Sequence, residues 1–250
     1  MLQIKSLTKR FGGVTANDDV SFTAARGAIT ALIGPNGAGK TTLINMVSGL
    51  LRPTSGTVTF GEQNITALPS HRVAASGIAR TFQNIRLFPD SSVLENVLVA
   101  RHLHRHDTLL EALLWLPRAR HEEQRSREHA HALLERLGIA HLAPLAAGTL
   151  SYGDQRRVEI ARALAVEPQM LLLDEPAAGM NEHETEQLAQ LLDRLRNDGL
   201  ALLVIEHDMA LIMRLSDHVV VLNFGRKLAE GTPAAMQRNP DVITAYLGAE

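Results

Sequence analysis

The sequence predicts an α/β fold: a parallel sheet with helices on both faces, an antiparallel β edge, and a helical segment set into the middle of the chain. Three observations predict it. Short apolar runs alternate with helical periodicity on both sides of the middle, as a parallel sheet requires. The N-terminal runs are short and bounded by polar breaks, as in an edge sheet. From Val93 to about Leu145, strand signals give way to arginine- and histidine-rich helical sequence.

The elements follow in order. Leu2 to Lys5 and Val20 to Ala24 read as antiparallel strands near an edge. Ile29 to Ile33 is a compact apolar run, followed by a glycine-rich turn and a helix over Thr41 to Leu50. Thr57 to Phe60 and Ile78 to Thr81 are short strands. After Thr149 the alternation returns, with a helix over Tyr152 to Val166 and a buried strand over Met170 to Leu173. Leu188, Leu191, Leu192 and Leu195 recur at i, i+3, i+4 and i+7, one apolar helix stripe. Ala201 to Ile205 is a buried strand and Asp208 to Leu215 a helix. His218 to Asn223 and Arg226 to Glu230 form a hairpin across Phe224-Gly225. The expected organisation is one domain, with residues 1–84 and 160–250 as the α/β core and about 85–159 as a helical subdomain.

Composition narrows the function. The 25 basic residues against 27 acidic ones leave a net charge of −2, which argues against a nucleic-acid binder. Cysteine is absent, so disulfides, thiolate metal sites and cysteine nucleophiles are excluded. No stretch approaches the roughly 18 apolar residues of a membrane span, and the N-terminus has no secretory pattern. The expectation is a soluble, cytoplasmic chain that meets a membrane only through partners.

The first chemical motif is Gly34-Pro35-Asn36-Gly37-Ala38-Gly39-Lys40-Thr41, a match to G-x-x-x-x-G-K-[ST] between a buried strand and a helix. Glycines let the backbone curl until several N–H groups point into one concavity. That nest and the positive end of the helix stabilise phosphate oxygens. Lys40 adds a point charge between β- and γ-phosphates, and Thr41 offers a hydroxyl to Mg²⁺; Asn36, Gly37, Gly39 and Thr42 belong to the same cradle.

The second motif is the run Met170 to Leu173 ending in Asp174-Glu175-Pro176. A parallel strand delivers its C-terminal residues to the crevice where phosphates sit. Asp174 can hold the metal there, and Glu175 can take a proton from an attacking water. Phosphoryl transfer to water needs a cradle, a metal site and a polarising base, and each now has a candidate. Kinases, GTPases and other ATPases stay open at this point.

Leu150-Ser151-Tyr152-Gly153-Asp154-Gln155-Arg156-Arg157, just before the second motif, narrows the field. It resembles the signature of ABC ATPases, and the resemblance covers nearly the whole chain. The Ser151 hydroxyl, the Gly153 amide and the helix dipole would favour an anion. The resemblance implies a P-loop NTPase core of the ABC ATPase type that takes ATP and Mg²⁺. It implies that Gln83, after Ala79-Arg80-Thr81-Phe82, senses Mg²⁺ and the attacking water. It implies that His207 contacts the γ-phosphate, that Phe11 stacks on adenine, and that Ala178-Gly179-Met180-Asn181 is the D-loop. Two departures stand out: Tyr152, Gly153 and Asp154 replace two glycines and a glutamine, and Asn181 replaces an aspartate. Asp154 would weaken anion binding unless it faces away, and Gln155 could partly take over the missing glutamine.

The mechanism implied is a two-chain sandwich, each ATP lying between the phosphate loop of one chain and the signature of the other. The resemblance further implies transmembrane permease subunits, a second ATPase subunit (or a homodimer in isolation), an indirectly contacted substrate-binding protein, and a place on the cytoplasmic face of the membrane. Tyr152, Pro176 to Asn181, Ile205-Glu206-His207-Asp208-Met209, the ending Asn239 to Gly248 and an added stretch of about Thr108 to Arg127 resemble the larger ATPase of branched-chain amino acid importers. The ATPases of lipopolysaccharide export and of urea or amide import are also similar. Other classes are a regulatory module that does not hydrolyse ATP, a non-transport ABC ATPase and a small-molecule kinase. Glu175 and His207 argue against the first, and the single short domain against the second. Ser151-Tyr152-Gly153 argues against the third.

Two further features invite a functional reading. His102, His104 and His106, with His121, His129 and His131, have no carboxylate or cysteine in matching positions, so a solvated polar helix is expected. Leu109, Leu110, Leu113, Leu114 and Trp115 form an apolar stripe suited either to packing within the subdomain or to contact with membrane subunits or the bilayer surface.

Overall fold

The computed structural model describes residues 1–101 and 117–247. His102, His104, His106, the stripe Leu109 to Trp115 and Gly248 lie outside the described residues. In chain order the elements are β1 (Leu2–Phe11), β2 (Val14–Ala24), β3 (Ile29–Ile33), α1 (Lys40–Val47), β4 (Ser55–Phe60), β5 (Gln63–Asn64), α2 (Ser70–Ala75), β6 (Ile78–Arg80), α3 (Val93–Arg101), α4 (Pro117–Arg136), α5 (Tyr152–Leu164), β7 (Met170–Asp174), α6 (Glu182–Asn197), β8 (Ala201–Ile205), α7 (Met209–Leu215), β9 (His218–Asn223), β10 (Arg226–Gly231), α8 (Pro233–Gln237) and α9 (Pro240–Leu247).

The chain divides into two compact units, residues 1–83 with 169–250, and residues 84–168. The first unit holds two sheets. One is antiparallel, in the order β2-β1-β4-β5, and the other runs β10-β9-β3-β8-β7-β6. In the second sheet all neighbours pair in parallel except β10 on β9. Every residue of β3, β7 and β8 is buried. Strands covered on both faces read as continuous apolar runs rather than alternating ones, which is why their limits are so plain in the sequence. One apolar cluster joins Leu2, Ile4, Leu7 and Phe22 of the first sheet, Leu43, Ile44 and Val47 of α1, and Leu32, Leu172, Leu203 and Val220 of the second.

The expected helix over Thr41 to Leu50 stops earlier, at Val47. Gly49 turns left-handed at φ 71°, and a Cβ there would lie 2.6 Å from the Leu68 carbonyl oxygen, so the chain leaves the helix where only glycine fits. The Phe224-Gly225 turn has φ 46° and 78°, the two positive values a tight I′ hairpin needs.

The second unit is helical. Asn96, fully buried, accepts from the Phe88 amide and donates to the Phe88 and Ser92 carbonyls, which fixes the loop ahead of α3. Ser92 and Glu95 cap that helix reciprocally: the serine hydroxyl accepts from the Glu95 amide, and the Glu95 carboxylate accepts from the Ser92 amide. The expected second boundary, at 159/160, falls inside α5 and is corrected to 168/169. Both α3 and α4 pack on α5, so the whole helix belongs to the same unit.

Leu192, fully buried on the α6 stripe, sets a test of this core. Leu192→Ala should cost about 2–5 kcal/mol, read as a lowered urea midpoint. Leu50→Ala, at a half-exposed position, should stay within about 0.5 kcal/mol of the parent.

Candidate active site

The site in the first unit begins where β3 ends. A Cβ on Gly34 (φ 149°) would lie 2.2 Å from the Leu222 carbonyl oxygen, and one on Gly39 (φ 93°) 2.4 Å from that of Ala16. Both positions therefore need glycine for packing as well as for backbone angle. The buried Asn17 donates its side-chain amide to the Gly39 carbonyl at 3.2 Å, tying β2 to the loop. Lys40 is buried, and its ammonium donates to the carbonyls of Gly34 at 2.7 Å and Pro35 at 3.0 Å. An ammonium has three N–H bonds, so one is left for an anion. Burial lowers the Lys40 pKa, and the charges of Glu175 and Asp174 oppose that shift. α1 opens with no side-chain cap and no acid in its first turn, so its positive end is left for a ligand. Asn36, Gly37 and Thr41 are exposed, and Gly39 and Thr42 are half-buried.

Three other parallel strands end beside this loop. Asp174, the last residue of β7, is buried. Arg80, the last residue of β6, donates to Asp174 at 2.9 Å and to Asn45 and Ser48 of the α1 segment at 2.6 and 2.9 Å. Its guanidinium also lies over the Phe82 ring, 5.2 Å from the centroid. Glu175 takes a left-handed backbone, φ 48°, and its amide donates to the Ile205 carbonyl at 2.9 Å. Gln83 donates its amide to the Glu175 carboxylate at 2.7 Å. The His207 Nδ1 lies 3.8 Å from the other carboxylate oxygen, on a side chain that is 61% exposed. Gln83, Glu175 and His207, predicted from scattered motifs, thus form one contact group.

Asp174, the Thr41 hydroxyl and the Gln83 amide supply oxygen donors of the kind Mg²⁺ takes. Among the described residues no three histidine, cysteine, aspartate or glutamate side chains could hold a metal by themselves. That sparse set suits an ion whose other ligands are phosphate oxygens and water.

Phe11, at the end of β1, is half exposed, with the Lys9 ammonium 5.0 Å from its ring centroid. In the loop after Glu175, Asn181 caps α6: its side chain accepts from the Glu184 amide at 2.9 Å, and the Glu184 carboxylate accepts from the Asn181 amide at 3.0 Å. Asparagine caps a helix as well as aspartate does, so this departure leaves the helix start intact.

In the second unit, Ser151 caps α5 and accepts from the Asp154 amide at 3.2 Å. The direction of Asp154, left open by the sequence, is toward Ser151. Its carboxylate accepts a hydrogen bond from the Ser151 hydroxyl at 2.8 Å, while Arg157 lies 3.6 Å from its other oxygen and offsets the charge. Gln155 donates its side-chain amide to the Leu150 carbonyl at 3.0 Å. Gly153 is buried. Beneath them Arg156 pairs with Glu159 at 2.7 Å and donates to the Tyr152 hydroxyl at 3.1 Å.

Four residues of the first unit were not singled out by the sequence: Asn17, Arg80, Glu206 and Tyr246. Asn17 and Arg80 are single polar residues in strands, a signal too common to select. Glu206 was hidden by its histidine neighbour. The Tyr246 hydroxyl is buried, which pushes its pKa up to about 12. The Gly34 backbone is near enough to oppose that shift, yet the hydroxyl has no partner of good hydrogen-bond geometry among the described residues.

Arg80→Leu would take the guanidinium from a buried carboxylate, at a cost of about 3–5 kcal/mol in chemical unfolding. Changing Asp174 to asparagine in the same chain should recover a large part of that loss, because no buried charge then remains.

The ABC transporter family profile matches residues 17–178, and a profile described as branched-chain amino acid ATP-binding cassette transporter matches residues 226–250. The chain is 45% identical over 249 residues to the high-affinity branched-chain amino acid transport ATP-binding protein BraF of Pseudomonas aeruginosa, covering 99% of this chain and 98% of that one. A solved ATP-binding cassette of an ABC transporter in its ADP conformation is similar with a TM-score of 0.87 and 33% identity, over 99% of this chain and 98% of that one. A dimeric cassette in a post-hydrolysis state with ADP and Pi is similar with a TM-score of 0.78 and 27% identity, over 93% and 99% of the two chains. No described helix is long and apolar enough to cross a membrane. A phosphate-loop core with an inserted helical unit, matched along nearly its whole length by such cassettes, places the chain in the ABC transporter family as an ATP-binding cassette.

Proposed function

We propose that this chain hydrolyses ATP to drive the import of branched-chain amino acids, with Glu175 as the general base. The Glu175 carboxylate, in contact with the Gln83 amide and facing His207 beside the phosphate loop, carries the reading. In the mechanism the loop amides and the third Lys40 N–H hold the β- and γ-phosphates, and Phe11 stacks on adenine. Gln83 orients a water and Glu175 takes its proton as the water oxygen attacks the γ-phosphorus. The bond from that phosphorus to the β-phosphate bridging oxygen breaks, leaving ADP and phosphate. His207 donates to the γ-phosphate as charge builds on it. Mg²⁺, held through Thr41, Asp174 and Gln83, would supply charge neutralisation across the phosphates.

The signature Ser151 and Gly153 act on the nucleotide of a second chain, so ATP holds two chains together and hydrolysis releases them. That second chain is a smaller ATPase or another copy of this one. The pair sits on the cytoplasmic face of the membrane beneath two permease subunits, and a substrate-binding protein is met only through them. The amino acid cargo is supported by the family match at residues 226–250 and by the full-length likeness to a branched-chain amino acid transport subunit.

Glu175→Gln should lower phosphate release about 10²- to 10⁴-fold while binding of a fluorescent ATP analogue is kept. Unchanged release would remove Glu175 from the role of base. For the cargo, vesicles carrying the whole complex should take up labelled leucine with ATP inside the lumen that faces this chain. Uptake of none of the branched-chain amino acids would contradict the import reading.

A further inference from the structure

We infer that Glu206 is a positioning residue that locks the loop after the catalytic base to the loop that carries His207. The inference rests on the ATPase reading above and adds to it a residue with no expected contact to nucleotide.

Glu206 follows β8 directly and is only 1% exposed. One carboxylate oxygen accepts from the Ala177 amide at 2.8 Å, the other from the His207 amide at 3.1 Å. Burial raises the pKa of this carboxyl, and the amides of Ala177, His207 and Asp208 and the His207 charge pull it back. No lysine or arginine pairs with it among the described residues. A buried carboxylate is costly, and here backbone amides compensate it.

The amides come from two separate chain segments. Ala177 lies two residues beyond Glu175, and His207 lies one residue beyond Glu206. The neighbouring Ile205 carbonyl accepts from the Glu175 amide at 2.9 Å, and the Glu175 carbonyl accepts from the Ala178 amide at 3.2 Å. Consecutive residues 205 and 206 thus hold the amides of residues 175 and 177. Glu175 stands in a left-handed backbone that a non-glycine residue rarely adopts, so its turn needs such support. The same carboxylate sets the start of the His207 loop, which fixes the base and the histidine relative to each other. A neutral amide side chain cannot replace it, because glutamine has one acceptor oxygen and would aim N–H donors at a backbone donor.

The test uses the full-length chain with Glu206→Gln and the conservative Glu206→Asp. Phosphate release, binding of a fluorescent ATP analogue, melting temperature and amide hydrogen exchange are all read. Glu206→Gln should lower kcat about tenfold or more, keep the KM for ATP within about twofold, and speed exchange in the segments around both 177 and 207. Glu206→Asp should recover part of kcat. An unchanged kcat with unchanged exchange overturns the inference. So does a loss of kcat, ATP binding and melting temperature together in both variants, which would mark Glu206 as a general stability residue. If the glutamine variant does not fold, the kcat-to-KM split of the aspartate variant decides. Should the unsubstituted chain release no phosphate, the ATPase reading fails, while joint loosening of the two segments still reports on the lock.

Discussion

The parallel pairing of β3, β8, β7 and β6 is the constraint on which the rest of the structure depends. In a parallel ladder every strand ends at the same edge, so four loops that are far apart in sequence emerge side by side. The register matches Leu32 and Asp174 to the same residue, Ile205, on either side of β8. The phosphate-type loop, the acid pair and the histidine loop are therefore set at one level. A slip of one residue would turn each side chain to the other face of the sheet and would dismantle this edge while leaving the strand count unchanged.

That edge concentrates buried charge, and the chain compensates each charge locally. Two of the three Lys40 N–H bonds go to carbonyls of its own loop, Asp174 pairs with Arg80, and Glu206 accepts from backbone amides. The pattern separates groups that hold the site from groups that meet ligand. The side chains with spare donors or exposed faces, such as Lys40, Thr41 and His207, point to chemistry. Those whose capacity is directed into the protein, such as Asn17 and Glu206, keep the loops in register.

Much of this was legible in the sequence because local pattern and fold agree. Ile29 to Ile33 and Ala201 to Ile205 are strands at the expected limits, since strands buried on both faces read as nearly continuous apolar runs, broken in these two only by Thr30. The Leu188, Leu191, Leu192 and Leu195 stripe is buried along one helix. Where the reading fell short, the deciding interaction was tertiary. The limit of the helical unit is set by the packing of α3 and α4 on α5, which periodicity does not report. The direction of the Asp154 side chain, which the sequence left open, is set by a hydrogen bond from the Ser151 hydroxyl three residues back. Arg80 joins residues of three segments separated by 32 to 94 positions, a link that no local window contains.

The central claim is that the loop from Gly34 to Thr42 and the ends of β6, β7 and β8 form one nucleotide site. The most direct measurement is a crystal structure of the chain with Mg²⁺ and a non-hydrolysable ATP analogue. The account predicts phosphates on the loop amides, with Lys40 keeping its Gly34 and Pro35 carbonyls and turning its third N–H to the phosphates. It also predicts the γ-phosphate within reach of Gln83 and His207. A triphosphate bound away from that loop, or phosphates on the loop with Asp174 and Glu175 still remote from them, would contradict it.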